Sequence, residues 1–286
     1  MLYTTNPLVL VAVALIAPLA GGLLTGLDRK ITARLQGRVG PPILQPFYDF
    51  IKLWGKTPEI ANHLQLFFVY GYLAFALTSL LLVVAGQDLL MISFVLAFAS
   101  VCLILGGMSV RSPYVQVGGQ REIFQVLSYE PLLVLAVIGV YLKTGTFMLR
   151  SAATLHQPLV YSLPMIFIGI LAVGGIKLRK SPFDTSTSAH AHQELVRGLL
   201  TEYSGPYLAL IEMTHWVELI MVVALFASFW ATSIIGALLI AAVGFLLEII
   251  MDNVTARMTW RWMLSTTWTW GLGLAVVNLL FIYFRY

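Results

Sequence analysis

The sequence predicts an all-α integral membrane protein with about eight transmembrane helices and one short amphipathic helix at the membrane interface. Hydrophobic residues make up 59% of the 286 residues and charged residues only 10%, whereas a soluble domain has about 25% charged residues. Charge-poor apolar stretches recur along the whole chain, which indicates a single polytopic domain over residues 1–286. The formal net charge of +4 is explained by membrane topology, so a nucleic-acid partner is not expected.

Eight apolar stretches are long enough for the roughly 20 residues that a helix needs to cross the hydrocarbon core. They are Pro7–Leu27, Leu64–Ala85, Leu89–Val110, Ile123–Leu142, Leu159–Leu178, Pro206–Trp230, Thr232–Met251 and Thr267–Phe284. The fourth is the least regular, because Glu130 precedes Pro131 and a residue before proline is disfavoured in helical geometry. The first is expected to be a retained span rather than a signal peptide, because no Lys or Arg precedes it.

The basic residues predict the orientation. Fourteen of the 17 Lys and Arg residues fall in odd-numbered loops, and only Lys143, Arg150 and Arg285 fall on the other side. The positive-inside rule therefore places the odd loops in the cytoplasm and both termini outside. The predicted cytoplasmic loops are loop one (residues 28–63), loop three (111–125), loop five (177–205) and loop seven (252–266).

Loop one contains the predicted interfacial helix. Phe47, Phe50, Ile51 and Trp54 fall at helical spacing on one face. Charged residues occupy the other face, and prolines at positions 46 and 58 mark its two ends. Such a helix is expected to lie along the membrane surface.

Acidic residues inside the spans give most of the functional information, because a charge at the bilayer centre costs on the order of 3 kcal/mol or more. Glu212, His215 and Glu218 are spaced i, i+3, i+6 and share one helix flank. Together with Glu130 and Glu202 they predict a proton relay, because neighbouring desolvated carboxyl groups titrate nearer neutrality. The alternative is that these acids form ion pairs with Lys or Arg and only hold helices together.

Two further interpretations concern ion pairs and metals. Glu248 and Asp252 are expected to pair with Arg257 and Arg261 nearby. A Glu-x-x-His pair also occurs in di-iron bundles, but those require two such motifs and the chain has one. We therefore expect no metal site at this pair.

Loop five is polar and leaves three interpretations open. It contains Asp184, His190, His192 and Glu194, which are a possible ligand set for a divalent ion, although their spacing is not that of a zinc site. The same segment is also typical of a solvated docking loop or of a titrating gate. The single cysteine, Cys102, excludes a disulfide framework and a four-cysteine iron–sulfur cluster within this chain.

Five separated motifs resemble one membrane protein family. They are "LDRKITARLQGRVGPP", the set Gln45, Asp49 and Lys52, then "LSYEP", "SPFD" and "TEYSG". Their order is similar to that in the membrane subunit that adjoins the electron-transfer arm of respiratory complex I. The same family includes a subunit of energy-converting, membrane-bound nickel–iron hydrogenases. The resemblance covers about residues 7–284.

The resemblance implies roles for individual residues. It places Asp28, Arg29 and Lys30 at the mouth of a chamber. It gives Arg34, Arg38, Asp49 and Lys52 a part in shaping loop one. We expect partner subunits to dock on these residues and, in loop five, on His190 and His192. It assigns Glu130 and Glu202 to a glutamate-rich channel, and Asp184 and Glu194 to a gate in loop five.

Two departures resemble the ferredoxin-linked hydrogenase branch. The acid-free "TSTSAHAHQ" stands where quinone-reducing members have a compact acidic run, and His215 stands where they have a Glu. The resemblance then implies a non-catalytic subunit that binds no cofactor itself and that couples electron transfer to proton or sodium movement. The expected partners are the hydrogenase large and small subunits with their nickel–iron centre and iron–sulfur clusters, a ferredoxin-like iron–sulfur subunit, an antiporter-like membrane subunit, and ferredoxin as electron donor. The alternatives are a quinone-chamber subunit of complex I, a stand-alone transporter and a passive anchor.

Overall fold

The structure is a computed structural model that describes residues 3–59, 61–187 and 197–285, and these ranges contain helices and no β-strand. The fold class predicted from the sequence is confirmed. The helices are α1 (Pro7–Leu35), α2 (Gln45–Trp54), α3 (His63–Val84), α4 (Leu89–Met108), α5 (Pro113–Thr144), α6 (Leu159–Ser162), α7 (Pro164–Lys177), α8 (Gly205–Ser228), α9 (Ile234–Val254), α10 (Trp260–Thr266) and α11 (Gly273–Arg285). A π-helical segment, Thr267–Leu272, joins α10 to α11.

Within the described residues, seven helices are long and apolar enough to cross a membrane, and α7 is a shorter apolar helix of 14 residues. The predicted fifth span is therefore interrupted, because α6 ends at Ser162 and α7 begins at Pro164. Asn278 of α11 satisfies the freed backbone groups at this break. Its Oδ1 accepts hydrogen bonds from the amides of Met165 and Ile166, and its Nδ2 donates to the carbonyl of Ser162. An interrupted helix needs such a partner in a membrane.

Several helices extend beyond the apolar stretches that predicted them. Helix α5 begins at Pro113, so most of the loop predicted at residues 111–125 is helical, and the helix continues through Pro131. Likewise, α1 and α9 continue to Leu35 and Val254, which shortens the predicted loops 28–63 and 252–266. Hydropathy marks where apolar residues end, whereas these helices end several residues further on.

Helix α2 forms as predicted, and its apolar face packs on the bundle. The rings of Phe47 and Phe50 lie 5.3 and 5.7 Å from the ring of Trp216 on α8. Gly22 of α1 makes room for this contact, since a Cβ there would lie 2.6 Å from the Phe47 ring. Ile51, at the opposite edge of the same face, stays 66% exposed.

Helix α8 lies at the centre of the bundle and packs against α1, α2, α3, α7 and α9. Its central position and its polar flank determine where the candidate site forms. We call the side of the molecule that holds α2 the loop side, which is the side predicted to be cytoplasmic. We keep the name loop five for the segment between α7 and α8, described over residues 178–187 and 197–204.

Candidate functional site

An open polar cavity of about 800 Å³ lies on the loop side, between α1, α7, α8, α9 and loop five. We call it the chamber. The ionisable side chains that line it are Asp28, Arg29, Arg38, Lys177, Arg179, Lys180, Asp184, Arg197, Glu212, His215, Glu218, Asp252 and Arg257. A second cavity, of about 550 Å³, lies beside α2 and shares Arg29, Arg197, Glu212 and Trp216 with the chamber. The structure thus brings together many of the site residues predicted from the sequence.

The deepest acid on the flank of α8 is ion-paired. Glu218 is 1% exposed, and its Oε1 lies 2.8 Å from Nζ of Lys177, the last residue of α7. Its Oε2 lies 3.7 Å from Nη1 of Arg179. Glu218 therefore has the geometry of an ion-paired acid, and not that of an isolated carboxylate.

Arg179 connects two buried acids. It donates two hydrogen bonds to Glu122 of α5, over 3.2 Å from Nε and 2.7 Å from Nη2, while facing Glu218 on its other side. Its φ of 51° is in the left-handed region that non-glycine residues rarely adopt. Burial alone would lower the pKa of the Arg179 guanidinium, but Glu122 and Glu218 outweigh it and raise that pKa well above its usual value. Arg179 is thus a permanent cation fixed between two helices.

Lys177 also contacts hydroxyl groups on the side away from the chamber. Its Nζ donates to Oγ of Ser100 on α4 over 2.6 Å, and Ser100 shares a 3.0 Å hydrogen bond with the hydroxyl of Tyr129 on α5. All three side chains are buried. The next residue, Glu130, is only half-buried. A polar connection therefore runs from the chamber into the interface between α4 and α5.

The upper part of the α8 flank is more open. Nδ1 of His215 lies 4.0 Å from Oε2 of Glu212, and their side chains are 23% and 33% exposed. The ring of His215 makes an edge contact with Tyr72, at 6.1 Å between centroids. All three members of the predicted Glu212, His215 and Glu218 series line the chamber, so they share one flank as their spacing requires.

Some of the residues assigned to the chamber mouth and loop one form ion pairs, and the others form none among the described residues. Asp28 lies 2.7 Å from Nζ of Lys180. Arg29 lies 2.9 Å from Asp49 of α2, which also accepts a hydrogen bond from Gln45 over 3.0 Å. The remaining assigned residues differ in position: Arg38 lines the chamber, Lys52 lines the cavity beside α2, and Lys30 and Arg34 line neither.

The expected pairing of Glu248 and Asp252 with Arg257 and Arg261 is wrong. Nε of Arg257 lies 3.3 Å from Asp184, and Arg261 lies over the ring of Trp260. Asp252 accepts a hydrogen bond from the backbone amide of Ser181 over 2.8 Å. Asp252 and Arg257 are close in the sequence but do not bind each other, because each binds a residue of loop five instead.

The described residues do not bring all members of the predicted proton relay into one cavity. Glu202 lines a separate cavity of about 300 Å³ together with Glu59, and Glu130 does not line the chamber. His190, His192 and Glu194 lie outside the described residues, so their predicted roles stay predictions.

Sequence reasoning misses the central cations and hydroxyls of the site. From the sequence, Lys177 and Arg179 count only as loop residues, and Glu122 counts as part of loop three. The sequence does place three cations, at 177, 179 and 180, directly after an apolar run. Because such residues lie at a helix end near the membrane boundary, they are candidates for pairing with the acids of neighbouring spans.

The comparison with known families agrees with this architecture. The family described as NADH dehydrogenase matches residues 8–283. The chain belongs to the NADH dehydrogenase family. The family recognised from the five motifs is therefore confirmed.

Relatives within the NADH dehydrogenase family match almost the whole chain. Hydrogenase-4 component C of Escherichia coli is 29% identical, over 91% of this chain and 90% of its own length. Formate hydrogenlyase subunit 4 of Escherichia coli is 31% identical, over 90% and 94%. An NADH-quinone oxidoreductase subunit of Cereibacter sphaeroides is 28% identical, over 91% of each chain.

A solved structure has the same fold. It is a chain of the membrane-bound sulfane sulfur reductase, described as an archaeal respiratory membrane complex, with a TM-score of 0.86 and 22% identity over 96% of this chain and 98% of that one. This NADH dehydrogenase family member is a multi-pass membrane subunit of an oxidoreductase complex related to hydrogenases and complex I.

Proposed function

We propose that this chain is the anchoring and coupling subunit of an energy-converting nickel–iron hydrogenase. In this proposal the complex takes electrons from reduced ferredoxin, forms hydrogen, and uses the released free energy to move protons or sodium ions. Its partners are the hydrogenase large and small subunits, a ferredoxin-like iron–sulfur subunit and an antiporter-like membrane subunit. The support comes from two hydrogenase-type relatives that match nearly their full length and from the acid-free segment in loop five.

The proposal places the nickel–iron centre and the iron–sulfur clusters in the partner subunits. The sequence has one cysteine, Cys102, which is buried in α4. Among the described residues, no three His, Cys, Asp or Glu side chains are grouped as metal ligands. The single cysteine and the described residues therefore do not fit such a metal centre, and the steps proposed here involve only side chains of this chain.

The double contact of Lys177 is the observation that supports coupling most directly. Its ammonium group is shared between Glu218, which faces the chamber, and Ser100, which faces the interior. A hydroxyl group both donates and accepts, so Ser100 and Tyr129 can pass a proton onward. In this proposal the path leads from the chamber through Lys177 and Ser100 to Tyr129 on α5, and Glu130 follows Tyr129 in the sequence.

A charge change in the chamber can control this path. Two unit charges 4 Å apart interact with about 4 kcal/mol at an effective dielectric constant of 20. In this proposal, protonation of His215 during electron transfer changes the field at Glu218 and therefore the strength of its pair with Lys177. A change of that size alters an equilibrium by roughly 10³-fold, because each 1.36 kcal/mol corresponds to one pKa unit.

The whole-complex assay tests the hydrogenase proposal. The native complex is purified through a tag on this chain, its nickel content is measured, and hydrogen formation from reduced ferredoxin is compared with quinone reduction. Nickel together with ferredoxin-dependent hydrogen formation supports the proposal. Quinone reduction without nickel contradicts it.

A second candidate function is the quinone chamber of a complex I-type enzyme. The cavity of about 550 Å³ beside α2 is lined by apolar side chains, including Phe50, Leu53 and Trp216, together with charged ones such as Lys52 and Glu212, and such a cavity is large enough for a ligand headgroup. The relative from Cereibacter sphaeroides is named as part of an NADH-quinone oxidoreductase. The same assay separates this candidate from the hydrogenase.

The orientation is part of the proposal. We place the loop side in the cytoplasm of a prokaryotic cell and both termini outside, because 14 of the 17 Lys and Arg residues lie in the odd loops. A C-terminal reporter that is active only outside the cytoplasm is expected to be active. An inactive C-terminal reporter, with an active one inserted in loop one, would reverse the orientation.

Ser100→Ala tests the proton path. The substitution removes the hydroxyl between Lys177 and Tyr129, and we expect the number of ions moved per hydrogen formed to fall about 10²-fold, within the usual range for loss of a proton-transfer group. Ser79→Ala is the matched control, because Ser79 is equally buried but bonds only its own helix, at Ala76. Ion uptake and hydrogen formation are measured together in inverted vesicles. Equal coupling in both variants would exclude Ser100 from the path.

A further inference from the structure

Glu248 of α9 is a buried carboxyl group that the coupling path does not use. It is 1% exposed, and among the described residues no side chain donates a hydrogen bond to either carboxylate oxygen, although the backbone of Gly175 approaches it. None of the ion pairs found within those residues includes it. This is unusual, because buried carboxylates normally have a partner.

Two glycines of α7 create the space that Glu248 occupies. A Cβ on Gly174 would lie 2.9 Å from Oε1 of Glu248, and a Cβ on Gly175 would lie 3.1 Å from Oε2. The same glycines face the apolar side chains of Phe226 and Phe183. The carboxyl head therefore sits against a glycine surface fitted to it, in a largely apolar pocket.

The charged groups around Glu248 come from three elements. They are Lys180 of loop five, Asp252 of its own helix and Asp28 of α1, and the backbone of Gly175 also faces it. Lys180 is held by Asp28 at 2.7 Å, and the other two are acids. No cation is committed to Glu248 among the described residues, so its charged form has little compensation in this pocket.

A second carboxylate connects this pocket with the chamber. Asp252 lies four residues after Glu248 on α9, which is about 6 Å nearer the loop side at 1.5 Å per residue. It lines the chamber, and the amide of Ser181 holds one of its oxygens over 2.8 Å. Residues at i and i+4 lie on the same helix face, so Asp252 stands between the chamber and Glu248.

We propose that Glu248 is a proton-binding site, distinct from the ion-paired Glu218, and that it is filled from the chamber through Asp252. In the forward step a proton leaves a hydronium ion or a water-borne donor in the chamber, binds a carboxylate oxygen of Asp252, and then passes to a carboxylate oxygen of Glu248. Release reverses the two transfers, and no other bond changes. The pocket holds the neutral acid while Lys180 remains on Asp28.

The position of this site gives it a route to the Lys177 pair. The glycines that face Glu248 are two and three residues before Lys177 on the same short helix. Loss of the proton from Glu248 therefore places a negative charge beside the helix end that holds Lys177 on Glu218. Proton occupancy at Glu248 and the strength of that pair are thus coupled through α7.

Infrared difference spectroscopy of the native complex tests the proposal. The wild type is expected to show the carbonyl band of a neutral carboxylic acid that is absent in Glu248→Gln and that loses intensity as the pH is raised. Glu59→Gln is the matched control, because Glu59 is exposed and its loss is expected to remove only carboxylate bands. A wild-type spectrum whose neutral-acid bands are all unchanged in Glu248→Gln overturns the proposal.

Asp252→Asn tests the route separately. Exchange of the Glu248 proton with deuterium, followed by the shift of the same band, is expected to slow at least about tenfold, since loss of a positioned proton carrier has effects of this order or larger. An unchanged exchange rate overturns the route through Asp252. Neither measurement uses nickel, hydrogen or quinone, so its result is independent of the proposed function.

Discussion

Glu218 and Glu248 are equally buried acids on neighbouring helices, yet their surroundings are opposite. Each is 1% exposed, and each approaches the last turns of α7. Glu218 meets Lys177 and Arg179, whereas Glu248 meets two glycines and apolar side chains. Burial therefore does not decide the role of a membrane acid. Its role depends on the residues that the adjacent helix places against it. Helix α7 places the cation Lys177 against Glu218, and it places Gly174 and Gly175 against Glu248.

Glu218→Gln and Glu248→Gln test this comparison with the largest expected effect. Removing one partner of a buried ion pair typically costs about 3–5 kcal/mol, because the other charge stays buried without compensation. We expect Glu218→Gln to lower the thermal stability of the purified complex strongly, since Lys177 and Arg179 both lose a partner. Glu248→Gln removes an unpaired group and is expected to change the stability by less than about 1 kcal/mol.

Thermal unfolding of both variants in the same detergent provides the measurement. Equal losses of stability would show that Glu248 has a strong partner in the complex, and the contrast between the two acids would then disappear. A larger loss for Glu248→Gln would reverse it.

Arg179→Lys tests whether the shape of the guanidinium group matters for its binding to Glu122 and Glu218, and we expect an intermediate loss of stability. Lysine keeps the charge but lacks the planar fork that makes two hydrogen bonds to Glu122 while facing Glu218. Leaving part of a buried acid without its donors costs about 1–3 kcal/mol. Arg38→Lys is the control, because Arg38 is exposed. Thermal stability measures the difference, and a neutral Arg179→Lys would show that charge alone is sufficient.

The sequence is sufficient to predict the helices and one flank of the site. Apolar length predicts the spans, and helical spacing predicts both α2 and the series Glu212, His215 and Glu218, because these features depend on residues close along the chain. Apolar length alone does not predict the break at Leu163. Pro164 marks it locally, because a proline cannot continue the hydrogen-bond ladder of the preceding helix, whereas Asn278, which satisfies the freed backbone groups, lies more than 100 residues away in the sequence.

The pairing of the acids is not predictable in the same way. The sequence predicts that Glu248 binds a nearby arginine, but Glu248 forms no ion pair among the described residues. The sequence predicts that Glu218 is an unpaired relay acid, but Glu218 binds Lys177. Partners of buried charges come from other helices, so they depend on how the helices pack. Arg179 shows this most clearly, because it joins α5 to α8 from a position in loop five.

The ion pair between Arg29 and Asp49 is an exposed counterpart of the buried pair between Lys177 and Glu218. Its loss is expected to change the stability least. Its atoms lie 2.9 Å apart, close to the 2.8 Å of the pair between Lys177 and Glu218, but both side chains are 44% exposed. Exposed pairs contribute about 0.2–1 kcal/mol and weaken as salt rises.

A double-mutant cycle with Arg29→Ala and Asp49→Ala is expected to give a coupling energy in that range, falling between low and high salt, as measured by thermal unfolding. The same cycle with Lys177→Met and Glu218→Gln is expected to give a much larger, salt-insensitive value, because water and ions do not reach the buried pair. A salt-insensitive coupling above about 2 kcal/mol at Arg29 and Asp49 would exceed what exposed pairs contribute. It would show that α2 is covered in the assembled complex, which is the condition under which a surface pair acquires the energetics of a buried one.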